Sequence, residues 1–305
     1  EEVIKDFEDT LPKDNISNYD IPDYVSSRKK RILVLSGGGV RGIAHIGALQ
    51  SLEEHHILQK IEIFAGTSIG GLVCSLLVVG YKPHEMYKFI KIFDLRKLAD
   101  IGMFNLIESY GLDKGNRLEL MLGKLLNGRG FPDTITMEQL YQKTGKLLML
   151  TTTCVSDKQV VYLSPFTHPD LQVIKAIRMT TSLPIYFMPV IHKGKMYIDG
   201  GCFDNYPIHL FMDILDDTIG IYLHGERSKI AEIPNLETYL LGVMDCLMEG
   251  IAVNATRLFD DNTIKVMVDC SNIINYMLTD KEKDDMFMSG FKAAEKYISG
   301  ILKLE

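Results

Sequence analysis

The chain has 305 residues, of which 46% are hydrophobic and 24% charged, and its formal net charge is −7 at pH 7. This composition supplies a large core and argues against a nucleic-acid partner, because nucleic-acid-binding proteins present a positive surface to phosphates. The longest apolar run, residues 69–79, is too short to span a bilayer. A charged N-terminus predicts no signal peptide, and five scattered cysteines without a C-x-x-C motif are typical of a reducing, cytoplasmic compartment.

Residues 1–30 are polar and acid-rich and are predicted to form an N-terminal arm, followed by one domain over residues 31–305. Four basic residues, 28–31, stand where the arm meets the domain. Two interpretations of this cluster stay open: contact with anionic lipid head groups, or a solvated approach to the first strand.

A glycine-rich segment, residues 36–42, separates the first predicted strand from the first predicted helix. Residues 31–35 have the apolar content of a buried strand, and residues 43–52 have helical apolar spacing. Residues without side chains at such a junction leave backbone N–H groups free, and the helix N-terminus directs them towards an anion. The segment therefore predicts a loop that binds a negative charge.

The sequence Gly66-Thr67-Ser68-Ile69-Gly70 lies between two further apolar runs, 61–64 and 72–79. A serine between glycines, where a strand turns directly into a helix, exposes its hydroxyl because larger neighbours would clash in so tight a turn. Ser68 is the predicted nucleophile, with Gly66 and Gly70 as the glycines of the elbow. Since both loops follow parallel strands, we expect them to lie side by side at one sheet edge.

A third signal is Tyr197-Ile198-Asp199-Gly200-Gly201, in which a carboxylate ends a short strand before two glycines. Alone this pattern is typical of a turn, but beside the other two motifs it predicts an acid close to Ser68. Strands are also predicted at 147–153 and 218–223, and an amphipathic helix from Phe287 to Leu302. Alternating strands and helices predict an α/β domain with a parallel sheet covered on both faces.

Residues 93–131 show less regular patterning. Their apolar run, residues 101–107, is open to interpretation as a lid or membrane-docking surface, or as a buried connection.

These motifs resemble those of the patatin-like phospholipases, a family of serine acyl hydrolases. The family motifs Gly-Gly-Gly-x-Arg/Lys-Gly, Gly-x-Ser-x-Gly and Asp-Gly-Gly/Ala are similar to residues 37–42, 66–70 and 199–201, in the same order. Residues 178–189 and 205–207 also resemble family stretches, so that the similarity covers residues 31–208. The resemblance implies a three-layer α/β/α sandwich with a mostly parallel central sheet, whose remaining strand and helices lie in residues 209–305.

The resemblance also implies a catalytic dyad in which Asp199 takes the proton of Ser68 directly. The residues it implies for the oxyanion hole are Gly37, Gly38, Gly39, Arg41 and Gly42, with the amides of Gly38 and Gly39 as the expected donors. The implied enzyme is a calcium-independent hydrolase of phospholipids or other acyl-ester lipids, with no metal or cofactor and with transient, peripheral membrane contact. A protein activator and delivery into a host cell are left open.

Two positions depart from the family pattern. Thr153-Cys154 ends a strand where relatives often carry Asp or Asn, and Thr180-Thr181 replaces smaller residues. Both changes leave the dyad intact but put the shape of the acyl pocket in doubt. Arg41 has two open roles, binding a lipid phosphate or pinning the glycine loop.

Rival hypotheses draw on other residues. An α/β-hydrolase would pair Ser68 with His209 or His224, since both follow Asp199 in the chain. His45, on the helix after the glycine loop, is predicted to be a packed histidine rather than a base.

A dinucleotide-binding oxidoreductase would use Gly37, Gly39 and Gly42 as a Gly-x-Gly-x-x-Gly motif, with Glu62 twenty residues further on. The last rival is a non-catalytic binding module with the same fold.

Overall fold

The computed structural model describes residues 30–99, 101, 102, 106, 108–225, 239, 240, 242–244, 246, 247, 250, 259–269 and 277–301. Apart from Lys30, the predicted N-terminal arm lies outside these residues, as do positions 103–105 and 107 of the apolar run. The boundary between arm and domain stays a prediction. None of the helices in the described ranges is both long and apolar enough to cross a membrane.

The elements follow one another in the α/β alternation expected. The strands are β1 (Ile32–Leu35), β2 (Ile63–Thr67), β3 (Gly111–Asp113), β4 (Leu147–Cys154), β5 (Gln159–Leu163), β6 (Ile185–Phe187), β7 (Val190–His192), β8 (Lys195–Asp199), β9 (Thr218–His224) and β10 (Thr263–Met267). The helices are α1 (Gly42–Glu54), α2 (Ile69–Val78), α3 (Pro83–Ile92), α4 (Asn116–Gly128), α5 (Met137–Thr144), α6 (Val173–Thr180) and α7 (Asp280–Ile301). Short 3₁₀ turns include Gly39–Arg41, Leu95–Leu98 and Gly200–Cys202, and Pro207–Asp217 is a run of 3₁₀ turns interrupted by non-helical backbone at Phe211 and Ile214.

The central sheet has the strand order β10-β9-β1-β2-β4-β8-β7, and β5 also pairs with β4. Strands β10, β9, β1, β2 and β4 are parallel, whereas β5, β8 and β7 add antiparallel pairs. A separate two-stranded parallel sheet joins β3 to β6. The predicted mostly parallel sheet is confirmed.

Both faces of the sheet are covered, which explains why its strands are continuous apolar runs. Leu33 and Leu35 of β1 point into a large core with residues of α1, α2, α4, α6 and α7. Ile32 and Val34 point the other way, into a smaller core that includes residues of the segment Pro207–Asp217. The predicted α/β fold with flanking helices is therefore confirmed.

Helices α1 and α7 cross at very short range. A Cβ atom at Gly47 of α1 would overlap the carbonyl oxygen of Phe287, and one at Gly290 of α7 would overlap that of Ala44. Only glycine allows the two backbones to approach so closely. The predicted C-terminal helix is thus confirmed, although its last predicted residue, Leu302, lies outside the described residues. It holds α1, and with it the end of the glycine loop, against the sheet.

The prediction that residues 93–131 are less regular is wrong for their second half. This half contains β3 and the thirteen-residue helix α4, whose buried face carries Leu118, Leu122 and Leu126. Their spacing of four residues is a helical signal that could have been recognised.

Strands β2 and β8 lie end to end along one edge of β4. β2 pairs with the first part of β4 and β8 with its last part, while β5 overlaps both registers and so occupies the opposite edge. β2 runs parallel to β4 and ends at Thr67, opposite Thr151. β8 runs antiparallel and ends at Asp199, opposite Thr152. The two strands therefore terminate against each other, and this arrangement brings Ser68 and Asp199 together.

Candidate active site

Ser68 forms the turn between β2 and α2 by itself, with φ 54° and ψ −124°. This left-handed backbone is rare for a residue with a side chain and is found mainly at functional sites. A Cβ atom at Gly66 would lie 2.6 Å from the carbonyl carbon of Gly70, and one at Gly70 would lie 2.5 Å from the carbonyl oxygens of Leu35 and Ser36. Both glycines are therefore required by the close packing of the elbow.

The Ser68 hydroxyl donates a hydrogen bond of 2.5 Å from Oγ to Oδ2 of Asp199. The other carboxylate oxygen, Oδ1, accepts the N–H of Gly201 at 2.8 Å. Asp199 is 1% exposed, and this burial raises its pKa to about 6, against the lowering effect of the hydrogen bonds from Ser68 and Gly201. A carboxylate with such a pKa is a better proton acceptor near neutral pH than a solvated aspartate.

The glycine loop lies next to the dyad, but its amides are not equivalent. The Gly37 N–H donates to the carbonyl of Asn205 at 3.0 Å, and the Arg41 N–H donates to that of Gly38 at 3.1 Å. The Gly42 N–H is also used, by carbonyls of the preceding turn. The N–H groups of Gly38 and Gly39 have no hydrogen-bond partner among the residues that the structure describes. Both residues line the same cavity as Ser68 and Asp199, and so they remain the candidate oxyanion donors.

The Arg41 side chain is directed elsewhere. It is buried, does not line the cavity beside Ser68, and approaches Gly225, where a Cβ atom would lie 3.1 Å from its Cζ. Its charge and that of Lys265 lower the pKa of His224 further, after the larger effect of burial. This placement favours a role in holding the loop over a role in binding a phosphate at the dyad.

A cavity of about 390 Å³ opens beside the dyad and extends between α1, α2, α3, the turn Leu95–Leu98 and α4. Its walls are almost entirely apolar. The side chains that form them include Ile43, Ile46, Ile69, Leu72, Val73, Leu76, Met86, Phe89, Ile90, Leu95, Leu98, Leu118, Met121, Leu125, Leu183 and Phe187. A mostly apolar cleft with a small number of polar groups is the usual form of a site for an apolar ligand group.

The histidines do not join this arrangement. His45 is fully buried, its Nε2 donates to the carbonyl of Ser36 at 2.8 Å, and burial lowers its pKa to about 4. His209 instead lies near Asp204 (3.8 Å) and the Tyr162 hydroxyl (3.4 Å). Neither His209 nor His224 forms a hydrogen bond with Ser68 or Asp199 in the part of the chain described. The triad hypothesis therefore has no support in the geometry.

Glu62 lies at the wrong end of the strands for a dinucleotide site. It precedes the first residue of β2, whereas the glycine loop follows the last residue of the neighbouring parallel strand β1, so the two lie at opposite ends of these strands. The Glu62 carboxylate forms an ion pair with Arg31. A ribose-binding acid would have to follow its strand.

Two residues take part in the site without having been assigned a role from the sequence. Thr180 accepts the backbone N–H of Ser68 at 2.8 Å, and the Asn205 carbonyl holds Gly37 while its side chain lines the cavity. Both belong to stretches that resemble family sequences, but no local pattern specifies contacts between residues so far apart in the chain.

Within the described ranges, no three His, Cys, Asp or Glu side chains are grouped as metal ligands would be. The expectation of a reaction without metal or cofactor stays a prediction.

Comparison with known proteins agrees with these motifs. Residues 33–212 match the family model described as patatin-like phospholipase. An uncharacterised protein of Acanthamoeba polyphaga mimivirus is 29% identical over 91% of this chain and 96% of its own length. A probable lipid hydrolase of Invertebrate iridescent virus 6 is 30% identical over 65% of this chain and 66% of its own. A lysophospholipase, NTE1, of Meyerozyma guilliermondii is 28% identical over 58% of this chain but only 11% of its own length.

Solved structures show the same fold at low sequence identity. VipD from Legionella pneumophila matches with a TM-score of 0.64 and 17% identity, over 89% of this chain and 67% of its own. The type III effector protein ExoU matches with a TM-score of 0.55 and 16% identity, over 90% of this chain and 53% of its own. Because the family model covers more than half of the sequence and includes all three motifs, the chain belongs to the patatin-like phospholipase family of lipid hydrolases.

Proposed function

We propose that the protein hydrolyses carboxylic esters of phospholipids or related acyl lipids through a Ser68–Asp199 dyad. The observation that carries the proposal is the 2.5 Å hydrogen bond from Ser68 Oγ to Asp199 Oδ2 in the wall of an apolar cavity. The names of the relatives, lipid hydrolase and lysophospholipase, agree with a lipid substrate.

In the first half of the reaction, Ser68 Oγ attacks the ester carbonyl carbon while its proton moves to Asp199. The carbonyl oxygen becomes an anion, to which the free amides of Gly38 and Gly39 donate hydrogen bonds. The N-terminus of α2, which begins immediately after Ser68, adds a favourable electrostatic potential. Collapse of this intermediate breaks the bond to the alcohol, which takes the proton from Asp199.

In the second half, a water molecule attacks the acyl-enzyme and gives its proton to Asp199. The bond between Ser68 Oγ and the acyl carbon breaks, the free fatty acid leaves, and the proton returns to Ser68. The same carboxylate thus acts as base and then as acid in each half, without a histidine between it and the serine.

The cavity provides a site for the acyl chain. The polar head group would remain outside, where the protein meets the lipid surface, which agrees with the predicted transient membrane contact. Every step uses groups of this chain and a water molecule, and we therefore propose that added calcium is not required.

The proposal predicts that Ser68→Ala and Asp199→Asn each lower hydrolysis of a fluorogenic ester by at least about a thousandfold, because each removes a group that works only with its partner. Activity of the unmodified protein should fall as the pH drops below about 6, where Asp199 becomes protonated and cannot act as the base. The assay uses phosphatidylcholine vesicles and a calcium chelator, and a fluorophosphonate probe should label Ser68.

His209→Ala and His224→Ala serve as matched controls, since a triad enzyme would lose activity with one of them. Retention of full turnover by either dyad variant would refute the assignment.

A further inference from the structure

The strained backbone of Ser68 must be held in place by contacts outside its own turn. A left-handed φ at a residue with a side chain persists only where the surroundings over-determine it. The carbonyl of Ser68 accepts the N–H of Leu72 at 3.0 Å as the start of α2. Its N–H, however, is bound by a side chain 112 residues away, the Thr180 hydroxyl, at 2.8 Å.

The Thr180 hydroxyl connects the elbow to strand β4. It donates its single proton to the carbonyl of Thr151 at 2.5 Å and therefore accepts the Ser68 N–H with an oxygen lone pair. Thr151 stands in register with Thr67, the last residue of β2. Thr180 is fully buried, so water does not compete for either bond. The hydroxyl thus fixes the turn at the point where β2 ends.

The same end of α6 also holds the other member of the dyad. Two residues beyond Thr180, the carbonyl of Ser182 accepts the backbone N–H of Asp199 at 2.9 Å. The Ser182 hydroxyl in turn donates to the carbonyl of Arg178 at 2.6 Å, within the last turn of α6. Residues 180–182 therefore contact the backbones of both Ser68 and Asp199.

We propose that Thr180 is a positioning residue that sets the separation of the Ser68 hydroxyl and the Asp199 carboxylate. This inference rests on the proposed function and names a residue that the dyad mechanism does not include. Thr180 does not line the cavity, so it acts on the reaction only through Ser68. The hydroxyl is the essential group, because the Thr180 methyl merely packs beside Gly71.

The test compares Thr180→Val with Thr180→Ser. Valine keeps the shape but leaves the Ser68 N–H and the Thr151 carbonyl without their partner, so we expect kcat to fall roughly tenfold to a hundredfold with KM almost unchanged. Serine keeps the hydroxyl and should restore most of kcat. If Thr180→Val does not fold, Thr180→Ala takes its place in the comparison, because alanine also lacks the hydroxyl and is too small to clash with its neighbours.

Thr218→Val is the matched control. Thr218 is also fully buried and donates its hydroxyl to a backbone carbonyl, that of Ile214 at 3.0 Å, but it begins β9 beside Ile32, at the opposite end of the parallel strands from Ser68. Its loss should lower the melting temperature without changing kcat. Equal kcat losses in Thr180→Val, Thr180→Ser and Thr218→Val would show a general structural effect and overturn the inference.

The pH profile gives a second readout. The hydrogen bond from Ser68 lowers the pKa of Asp199, so a displaced Ser68 should move the acid limb of kcat/KM to higher pH in Thr180→Val only. Among the described residues, the groups that interact with this carboxylate are Ser68, the Gly201 N–H and the Cys202 thiol, whose own pKa is raised to about 12 by burial and by Asp199, so that it stays neutral.

Ser68→Ala, assayed alongside, separates the two proposals. If it retains activity, the proposed function is wrong. If it is inactive while Thr180→Val has the kcat and pH profile of the unmodified protein, only the role of Thr180 is wrong.

Discussion

At the scale of single residues, the site depends on a carboxylate kept away from water. Asp199 is 1% exposed, and burial outweighs two hydrogen bonds in raising its pKa to about 6. In the unfolded chain the same group has a pKa of about 3.9. Between about pH 3.9 and pH 6, Asp199 is therefore mostly protonated in the folded protein but mostly ionised in the unfolded chain. Stability falls as the pH rises through this interval, because the charged form is the one that burial disfavours.

Asp199→Asn should accordingly make the protein more stable while inactivating it. At about pH 7 we expect the free energy of unfolding to rise by up to about 3 kcal/mol, the equivalent of a pKa difference of about two units. The difference from the unmodified protein should shrink as the pH falls and become small at about pH 3, below both pKa values, where the aspartate is largely protonated in both states. Urea unfolding at the two pH values measures it. A stability difference independent of pH, or a less stable variant at both values, would contradict this account.

At the scale of elements, the crossing of α1 and α7 positions the glycine loop. The loop leads directly into α1. Helix α1 packs between the sheet and α7, and the backbones of the two helices are in close contact at Gly47 of α1 and Gly290 of α7. A shift of α1 would be transmitted to the amides of Gly38 and Gly39, because Gly38 immediately precedes, and Gly39 begins, the short 3₁₀ turn Gly39–Arg41 that leads into the helix.

Gly47→Ala and Gly290→Ala should each lower the free energy of unfolding by about 1–3 kcal/mol, because the added methyl group meets a backbone carbonyl that cannot rotate away. Urea unfolding measures the change. Gly300→Ala is the control on α7, since a Cβ atom there has no neighbour within 4 Å, and alanine should be neutral or slightly stabilising. Unchanged stability in all three variants would show that the crossing is looser than described.

At the scale of the whole molecule, the walls of the cavity are formed by elements that are distant from one another in the sequence. Leu72 lies four residues after Ser68 on α2 and is part of the wall, so a larger side chain there would occupy space that we propose for the acyl chain. The exposed Leu120 on α4 is 63% accessible and does not line the cavity.

Leu72→Trp should therefore lower kcat/KM for a palmitate ester relative to a butyrate ester. Loss of contact for two methylene groups, at about 0.8 kcal/mol each, corresponds to roughly a tenfold change in this ratio. Leu120→Trp should leave the ratio unchanged. If both tryptophan variants retain the chain-length preference of the unmodified protein, the acyl chain does not enter this cavity.

Much of this architecture could be predicted from local patterns. Buried parallel strands are continuous apolar runs, and tight strand-to-helix turns require glycine, so β1, β2, their loops and the dyad residues are visible in the sequence. The helix α4 was missed although its apolar spacing is regular. Strands β3, β6 and β7 have three residues each, too few to show a period.

The sequence by itself determined which residues are candidates for the proposed chemistry, a serine at an elbow, an aspartate before two glycines and a loop of bare amides, because those features depend on neighbours in the chain. Only the tertiary structure decided how they are used. In the folded protein the Gly37 N–H donates to the Asn205 carbonyl, and the Ser68 N–H donates to the Thr180 hydroxyl. His209 lies beside Asp204, and neither it nor His224 is bonded to Ser68 or Asp199 among the described residues. The physical reason is that hydrogen-bond partners more than a hundred residues apart are selected by how the strands and helices pack, and no short sequence pattern encodes that packing.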